Sequence, residues 1–184
     1  MPNPPLISPH LLQGLPPVVA KDARVLVLGS MPGTASLQAG QYYAHRQNRF
    51  WPFMGELVGA DPVLSYAQRL NRLGAAGIAL WDVLACCERD GSLDTAIRTD
   101  TAVANDFAGF FDKYPAIGTV LFNGAKAEQC FQRFVAPQLR GATPVLRRLP
   151  STSPANAATS ATAKLAAWRE ALQAAGVSGL ITSV

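Results

Sequence analysis

The chain of 184 residues is long enough for one globular domain, and its 49% hydrophobic residues suffice for a buried core. A formal charge of +4, from 16 basic and 12 acidic residues, permits an anionic partner without requiring one. Three cysteines, two of them adjacent, exclude a disulfide framework and offer no CxxC pair for zinc or an iron–sulfur cluster.

Residues 1–23 form a proline-rich leader, which we expect to pack on a single domain that spans residues 24–184. The leader has no basic stretch followed by an apolar block, so it does not match a secretory signal. Farther along, no apolar run approaches the ~20 residues that a membrane span needs. We therefore expect a soluble protein of the reducing cytoplasm, with no membrane partner.

Four short apolar runs predict the strands of a sheet. Segments long enough for a helix separate them, and a helical spacing of apolar residues marks 105–114, 125–135 and about 160–175. In the last of these helices Leu165, Trp168 and Leu172 share one face and are expected in the core. This alternation predicts an α/β fold with a parallel sheet covered on both faces. The runs are RVLVLGS (24–30), GIALWDVL (77–84), GTVLFNG (118–124) and TPVLRRLP (143–150).

The loops at the carboxyl edge of this sheet are the expected ligand site, because loops and helix N-termini converge there. They are rich in Gly, Ser, Thr and Asn, which suits a planar or anionic ligand better than strong acid–base catalysis. Dinucleotide, phosphate-loop and nucleophile-elbow motifs are absent, and two histidines cannot assemble a catalytic zinc site. No lysine falls at a main loop tip, so a Schiff-base mechanism has no evident nucleophile. The lysines are Lys21, Lys113, Lys126 and Lys164.

The segment YYAHRQNRFWP (42–52) leads into a helix that Pro52 can enter only in its first turn, so the helix should begin near Asn48. Asparagine is a favoured N-cap residue, and on this pattern alone Asn48 is either a structural cap or a functional amide. His45 is either a structural hydrogen-bonding residue or a contact to the ligand. The aromatic residues of the segment either pack in the core or line the loop.

Several separated segments, in this order, resemble the uracil-DNA glycosylase superfamily and, more closely, its hypoxanthine-DNA glycosylase branch. The resemblance runs from about Arg24 to Trp168 and implies a three-layer α/β/α sandwich on a four-stranded parallel sheet. The matching segments are LGSMPG (28–33), YYAHRQNRFW (42–51), GIALWDVLACCERDGSLDTAI (77–97), LFNGAKA (121–127) and LPSTSPANA (149–157).

The resemblance also implies a set of site residues. Many superfamily members hold the attacking water with an Asp or Asn in the first glycine loop, where this chain has Met31; the hypoxanthine branch implies that Asn48 takes over. Phe50 is expected to stack on the base, and Asp82 either accepts a hydrogen bond from the base or caps its loop. The implied base pocket comprises Gly29, Ser30, Met31, Pro32, Gly33, Tyr43, His45, Phe50, Trp81, Asp82 and Asn123. The implied DNA-binding residues are Arg148, Ser151, Thr152, Ser153 and Pro154.

The function that this resemblance implies is a monofunctional DNA glycosylase of base excision repair. It would flip a deaminated base out of the duplex and hydrolyse its N-glycosidic bond, with hypoxanthine as the expected lesion and xanthine or uracil as alternatives. The expected partner is double-stranded DNA carrying a damaged base, with single-stranded DNA as an alternative. The enzyme is expected to be monomeric, to associate with the nucleoid and to need no cofactor or metal. Because Met31 replaces the usual water-holding residue, the alternative function is a catalytically silent nucleic-acid-binding module of the same fold.

Overall fold

The computed structural model describes residues 11–141 and 143–181. The first ten residues of the expected leader, His10 among them, lie outside the described residues. The strands of the described part are β1 (Leu11–Gln13), β2 (Val25–Gly29), β3 (Ile78–Asp82), β4 (Leu84–Glu88), β5 (Val103–Ala104), β6 (Thr119–Asn123) and β7 (Val145–Leu149). Its α-helices are α1 (Thr34–Ala39), α2 (Phe50–Val58), α3 (Tyr66–Ala75), α4 (Phe107–Lys113), α5 (Ala125–Phe134) and α6 (Ala161–Ala174).

The central sheet confirms the predicted α/β class. Its four strands are all parallel and lie in the order β3-β2-β6-β7, each within one of the four apolar runs of the sequence. Side chains of α4 and α5 pack on one face, and those of α2, α3 and α6 pack on the other. The domain is therefore a three-layer α/β/α sandwich.

Strand β2 shows how one apolar run supplies both cores. Leu26 and Leu28 pack on the side of α4 and α5, whereas Val25 and Val27 pack on the side of α2 and α6. Successive residues of a strand point to opposite faces, so a strand buried on both sides has to be apolar at every position.

The predicted helices agree with α4, α5 and α6 to within a few residues. In α6, Trp168 and Leu172 are fully buried and Leu165 packs beside them at the edge of the core, as expected. Helix α2 begins at Phe50, two residues after Asn48.

A second, antiparallel sheet with the order β1-β4-β5 is not predicted by the sequence analysis. The run at 77–84 reads as one strand, but β3 ends at Asp82 and the chain then changes partners. After β3, β4 pairs with β1, which belongs to the leader, and with β5. Val18, also in the leader, forms a bridge with Leu80 on the edge of the central sheet.

Candidate active site

A cleft of about 500 Å³ lies at the carboxyl ends of the central strands. It is walled by the loop after β2, the segment around 42–48, the 92–95 segment, the start of α5 and the loop after β7. The structure brings most of the expected site residues to this cleft, whereas Phe50, Trp81 and Arg148 do not line it. The expected residues that line it are Gly29, Ser30, Met31, Pro32, Gly33, Tyr43, His45, Asn48, Asp82, Asn123, Ser151, Thr152, Ser153 and Pro154.

Asn48 lies at the cleft wall just before α2. Its Oδ1 accepts a hydrogen bond of 2.9 Å from the backbone N–H of Phe50, and its own backbone N–H donates to the carbonyl of His45 at 2.8 Å. The N-cap residue of α2 is Arg49 rather than Asn48, so the expected cap position requires correction, but the Asn48 amide still satisfies the first N–H of the helix. An amide oxygen has two lone pairs, so the same atom retains one acceptor position for a water molecule. Structural and functional roles of Asn48 are compatible.

Tyr43 lines the cleft and Phe50 does not, so the expectation that Phe50 forms an open stacking surface requires correction. Phe50 has 0% of its surface exposed, and the ring of Tyr43 stacks on it with centroids 4.0 Å apart and planes 25° apart. Tyr43 has a φ of 55°, the left-handed conformation that a residue with a Cβ rarely adopts. This backbone turn lays the tyrosine ring over the phenylalanine, so that Phe50 supports the wall that Tyr43 presents.

Trp81 also lies away from the cleft, in the core beneath the opposite face of the sheet. Its ring contacts Phe107 and Phe110 of α4, with centroid distances of 5.0 and 4.8 Å. Its neighbour Asp82 lines the cleft. Adjacent residues of a strand point in opposite directions, so only one of this pair can reach the cleft.

Asp82 is a buried carboxyl at the inner end of the cleft. Only 4% of its surface is exposed, and its Oδ2 atom is buried without a hydrogen-bond partner. Desolvation, with a further contribution from the Asp94 carboxylate, raises the pKa of Asp82 to about 7, although Arg89 opposes this effect. A Cβ on the paired residue Gly29 would lie 2.3 Å from Asp82 Oδ1, so the carboxyl requires a glycine at that position.

The first glycine loop is held by Arg89, to which the sequence analysis assigned no role. The side chain of Arg89 is buried and donates hydrogen bonds to the carbonyls of Met31, Pro32 and Gly91. Met31 borders the cleft, but its side chain is apolar and packs with the core, so this side chain offers the cleft no polar group. An arginine in a loop carries no local signal that distinguishes such a clamp from a solvated charge.

The loop after β7 is anchored to the cleft by the amide of Asn123. Asn123 Nδ2 donates to Thr152 Oγ1 at 2.8 Å, and the Thr152 N–H donates back to Asn123 Oδ1 at 2.8 Å. The backbone N–H of Arg49 donates to the Thr152 carbonyl at 2.9 Å, which joins this loop to the segment that carries Asn48. Lys164 of α6, whose pKa is lowered chiefly by desolvation, donates through Nζ to the carbonyls of Ser151 and Asn156.

A groove of about 710 Å³ adjoins the cleft and shares four lining residues with it, namely Asn48, Ser153, Pro154 and Asn156. Arg46, Arg49 and Lys164 line this groove. Arg148, expected at the DNA interface, instead pairs with Glu128 on α5 at 3.2 Å and lines neither space. The basic residues that line this groove therefore come from the segment before α2 and from α6.

Two further features concern the expected chemistry. Lys126, in the first turn of α5, lines the cleft, so the expectation that no lysine lies at the site requires correction for this residue. Within 11–141 and 143–181, no group of three or more His, Cys, Asp or Glu side chains is arranged to hold a metal ion. Over the same residues, the structure has no helix with the length and apolar character needed to cross a membrane.

Comparison with known proteins identifies a family and several relatives of this chain. The family model of the uracil DNA glycosylase superfamily matches residues 16–175. A hypoxanthine DNA glycosylase of Methanosarcina barkeri is 36% identical over 162 residues, which cover 88% of this chain and 98% of that protein. A hypoxanthine DNA glycosylase of Methanosarcina acetivorans is 34% identical over 145 residues, which cover 78% and 87%.

A solved structure shares the fold. It is a solution NMR structure from Methanosarcina acetivorans, provisionally described as a uracil DNA glycosylase, with a TM-score of 0.74 and 31% identity. The match covers 90% of this chain and 99% of that one. The family-model match over residues 16–175 includes the central sheet and every loop of the cleft. The chain belongs to the uracil DNA glycosylase superfamily.

Proposed function

We propose that this DNA glycosylase removes a deaminated base, with hypoxanthine as its preferred lesion and xanthine or uracil as alternatives, from a nucleotide flipped out of duplex DNA. The observation that carries the proposal is the position of the Asn48 amide, oriented by the Phe50 N–H at the wall of a cleft of about 500 Å³. The names of the two Methanosarcina relatives support hypoxanthine as the lesion.

The chemistry needs a positioned water more than a strong base. Cleavage of a glycosidic bond passes through an oxocarbenium-like sugar, so the base begins to leave before the water has fully attacked. Asn48 Oδ1, which has one lone pair engaged by Phe50, accepts a hydrogen bond from this water and directs it at the anomeric carbon. The product is an abasic site in an intact strand.

Base recognition begins with extrusion of the damaged nucleotide, which costs a few kcal/mol and least for a damaged or mispaired base. Tyr43 is the ring against which the flipped base stacks, a contact that typically contributes about 1–3 kcal/mol. Its packing on Phe50 prepares the ring in advance, so little conformational entropy is lost on binding. Asp82 and the backbone of the first glycine loop face the polar edge of the base.

The DNA backbone is held on both sides of the flipped nucleotide. The hydroxyl and amide groups of residues 151–154 contact one phosphate, and the groove with Arg46 and Arg49 accepts the adjoining strand. Lys164 serves this interface indirectly, because it fixes two carbonyls of the closing loop. The protein acts as a monomer, since one chain contributes all of these elements.

A single-turnover assay tests this function. Duplexes that carry one deoxyinosine, deoxyxanthosine or deoxyuridine are incubated with excess protein and then treated with alkali. We expect an alkali-labile site at the lesion, fastest for deoxyinosine, and none at the corresponding undamaged base. Binding without an alkali-labile product would instead identify a catalytically silent module.

Two variants refine the test. Asn48→Ala should lower the cleavage rate by ~100-fold to 1,000-fold, the usual cost of one lost polar group that acts in the transition state. It should retain most of the affinity for DNA, and an unchanged rate would reject the assigned role. Lys126→Ala should leave the intact-strand product unchanged; scission that occurs without alkali and requires Lys126 would contradict monofunctional hydrolysis.

A further inference from the structure

We infer that Asp82, as a neutral carboxylic acid, protonates N7 of the departing purine while the glycosidic bond breaks. The inference rests on the proposed function and assigns the group that receives the charge of the leaving base. It differs from the sequence expectation, in which Asp82 accepts a hydrogen bond as a carboxylate or caps its loop.

The position of the carboxyl supports this role. Asp82 ends β3 beside Gly29 and lines the cleft, and its Oδ1 lies where a Cβ on Gly29 would come within 2.3 Å. The side chain is 4% exposed, and its Oδ2 has no hydrogen-bond partner. A buried polar atom without a partner costs free energy, so its position in a ligand cleft indicates that a ligand supplies the partner.

The charged groups around Asp82 favour the protonated form. Burial removes the water that would solvate a carboxylate, which raises the pKa of Asp82. The like charge of Asp94, in the short turn after β4, raises this pKa further. Arg89 opposes both effects, but its N–H groups donate to three backbone carbonyls of the surrounding loops. Tyr42 and Tyr43 also face Asp82, and burial raises the pKa of each hydroxyl so that neither adds charge near neutral pH.

The proposed step balances without an additional reagent. The electron pair of the C1′–N9 bond passes to the purine, and the proton of the Asp82 carboxyl passes to N7, so hypoxanthine leaves as a neutral molecule. Water held by Asn48 adds its oxygen to C1′ and releases a proton to solvent. A proton from solvent then restores the Asp82 acid. The sum is one lesion nucleotide and one water converted to an abasic site and a free base.

The pH dependence of the single-turnover rate distinguishes an acid from an acceptor. If Asp82 acts when protonated, the rate is constant at low pH and falls by about tenfold per pH unit above the pKa of about 7. If Asp82 acts as a carboxylate acceptor, the rate falls as the pH is lowered. The second pattern would overturn the inference while leaving the proposed function intact.

Two carboxyl variants extend this test. Asp82→Asn keeps the shape but has no transferable proton, so it should lower the rate by ~100-fold to 10,000-fold and abolish the falling limb. Asp94→Asn keeps an acceptor for the Ser30 hydroxyl but removes the like charge, so the falling limb should move to lower pH. An effect that came only from damaged packing would lower the rate without moving the limb.

A substrate analogue tests the acceptor atom. A duplex with 2′-deoxy-7-deazainosine has carbon in place of N7, so the unsubstituted protein and Asp82→Asn should cleave it at the same low rate. Cleavage of this analogue by the unsubstituted protein at the rate for deoxyinosine would overturn the role of N7. A large effect of Asp82→Asn on the analogue would do the same.

A measurement without activity completes the experiment. In DNA-free protein with ¹³C-labelled aspartate carboxyls, one carboxyl should titrate near pH 7, and its signal should be absent from Asp82→Asn. An Asp82 carboxyl ionised throughout the range from about pH 5 to about pH 9 would overturn the inference whatever the enzymatic result. A protein that cleaves no lesion duplex would remove the proposed function and this role with it.

Discussion

Asp82→Asn should make the DNA-free protein more stable at alkaline pH even though the variant is a poorer enzyme. The pKa of Asp82 rises from 3.8 to about 7 on folding, and each pKa unit corresponds to about 1.4 kcal/mol, so ionisation of this carboxyl costs the folded state about 4 kcal/mol. Asparagine has a similar shape and carries no charge, so it avoids this cost.

The direction of this stability difference follows from the binding of the Asp82 proton. The folded protein binds the Asp82 proton more tightly than the unfolded chain, so the favourable contribution is complete below pH 3.8 and is lost as the pH rises to about 7. The difference in unfolding free energy, variant minus unsubstituted protein, should grow by about 1.4 kcal/mol per pH unit over this range and then remain constant.

Urea unfolding at a series of pH values, followed by far-UV circular dichroism, measures this difference. Groups common to both proteins cancel in the subtraction. Asp22→Asn, which changes an exposed carboxyl, is the matched control and should stay within about 0.5 kcal/mol of the unsubstituted protein at every pH. A difference between Asp82→Asn and the unsubstituted protein that does not depend on pH would refute the buried, protonated carboxyl.

Three further experiments with substituted proteins test the rest of the site. Tyr43→Ala should reduce the preference for lesion duplex over undamaged duplex by ~5-fold to 150-fold in fluorescence anisotropy, whereas Tyr43→Phe, which keeps the stacking ring, should retain it. The double variant Arg46→Ala and Arg49→Ala should reduce the salt dependence of DNA binding by the equivalent of about two phosphate contacts. Arg148→Ala, the control outside the groove, should leave the salt dependence unchanged. Equal effects of the two would disprove the proposed path of the DNA strand. Arg89→Met leaves three loop carbonyls without their donor, so it should lower the free energy of unfolding, measured by urea titration, by about 2–4 kcal/mol. An unchanged free energy of unfolding would argue against the role of Arg89 in holding the loop.

Local sequence was sufficient to predict the central sheet and most of its helices. The four parallel strands are short apolar runs, and such runs mark strands buried on both faces whatever surrounds them. The spacing in α6 identified Trp168 and Leu172 as core in the same way. The division of 77–88 into β3 and β4 was not predictable, because the chain changes from one set of strand partners to another without a change in its apolar character.

The sequence by itself determined the family, the loops that form the site and the segment that carries Asn48, because these depend on which residue types follow which strands. Only the tertiary structure decided which side chains reach the cleft. Tyr43 rather than Phe50 presents its ring, through a left-handed backbone turn that the residue type disfavours. Asp82 rather than Trp81 lines the cleft because strand residues alternate in direction. The proton affinity of Asp82 depends on Asp94 and Arg89, and these two residues, although close to Asp82 along the chain, act on it only because the loop that carries them is folded.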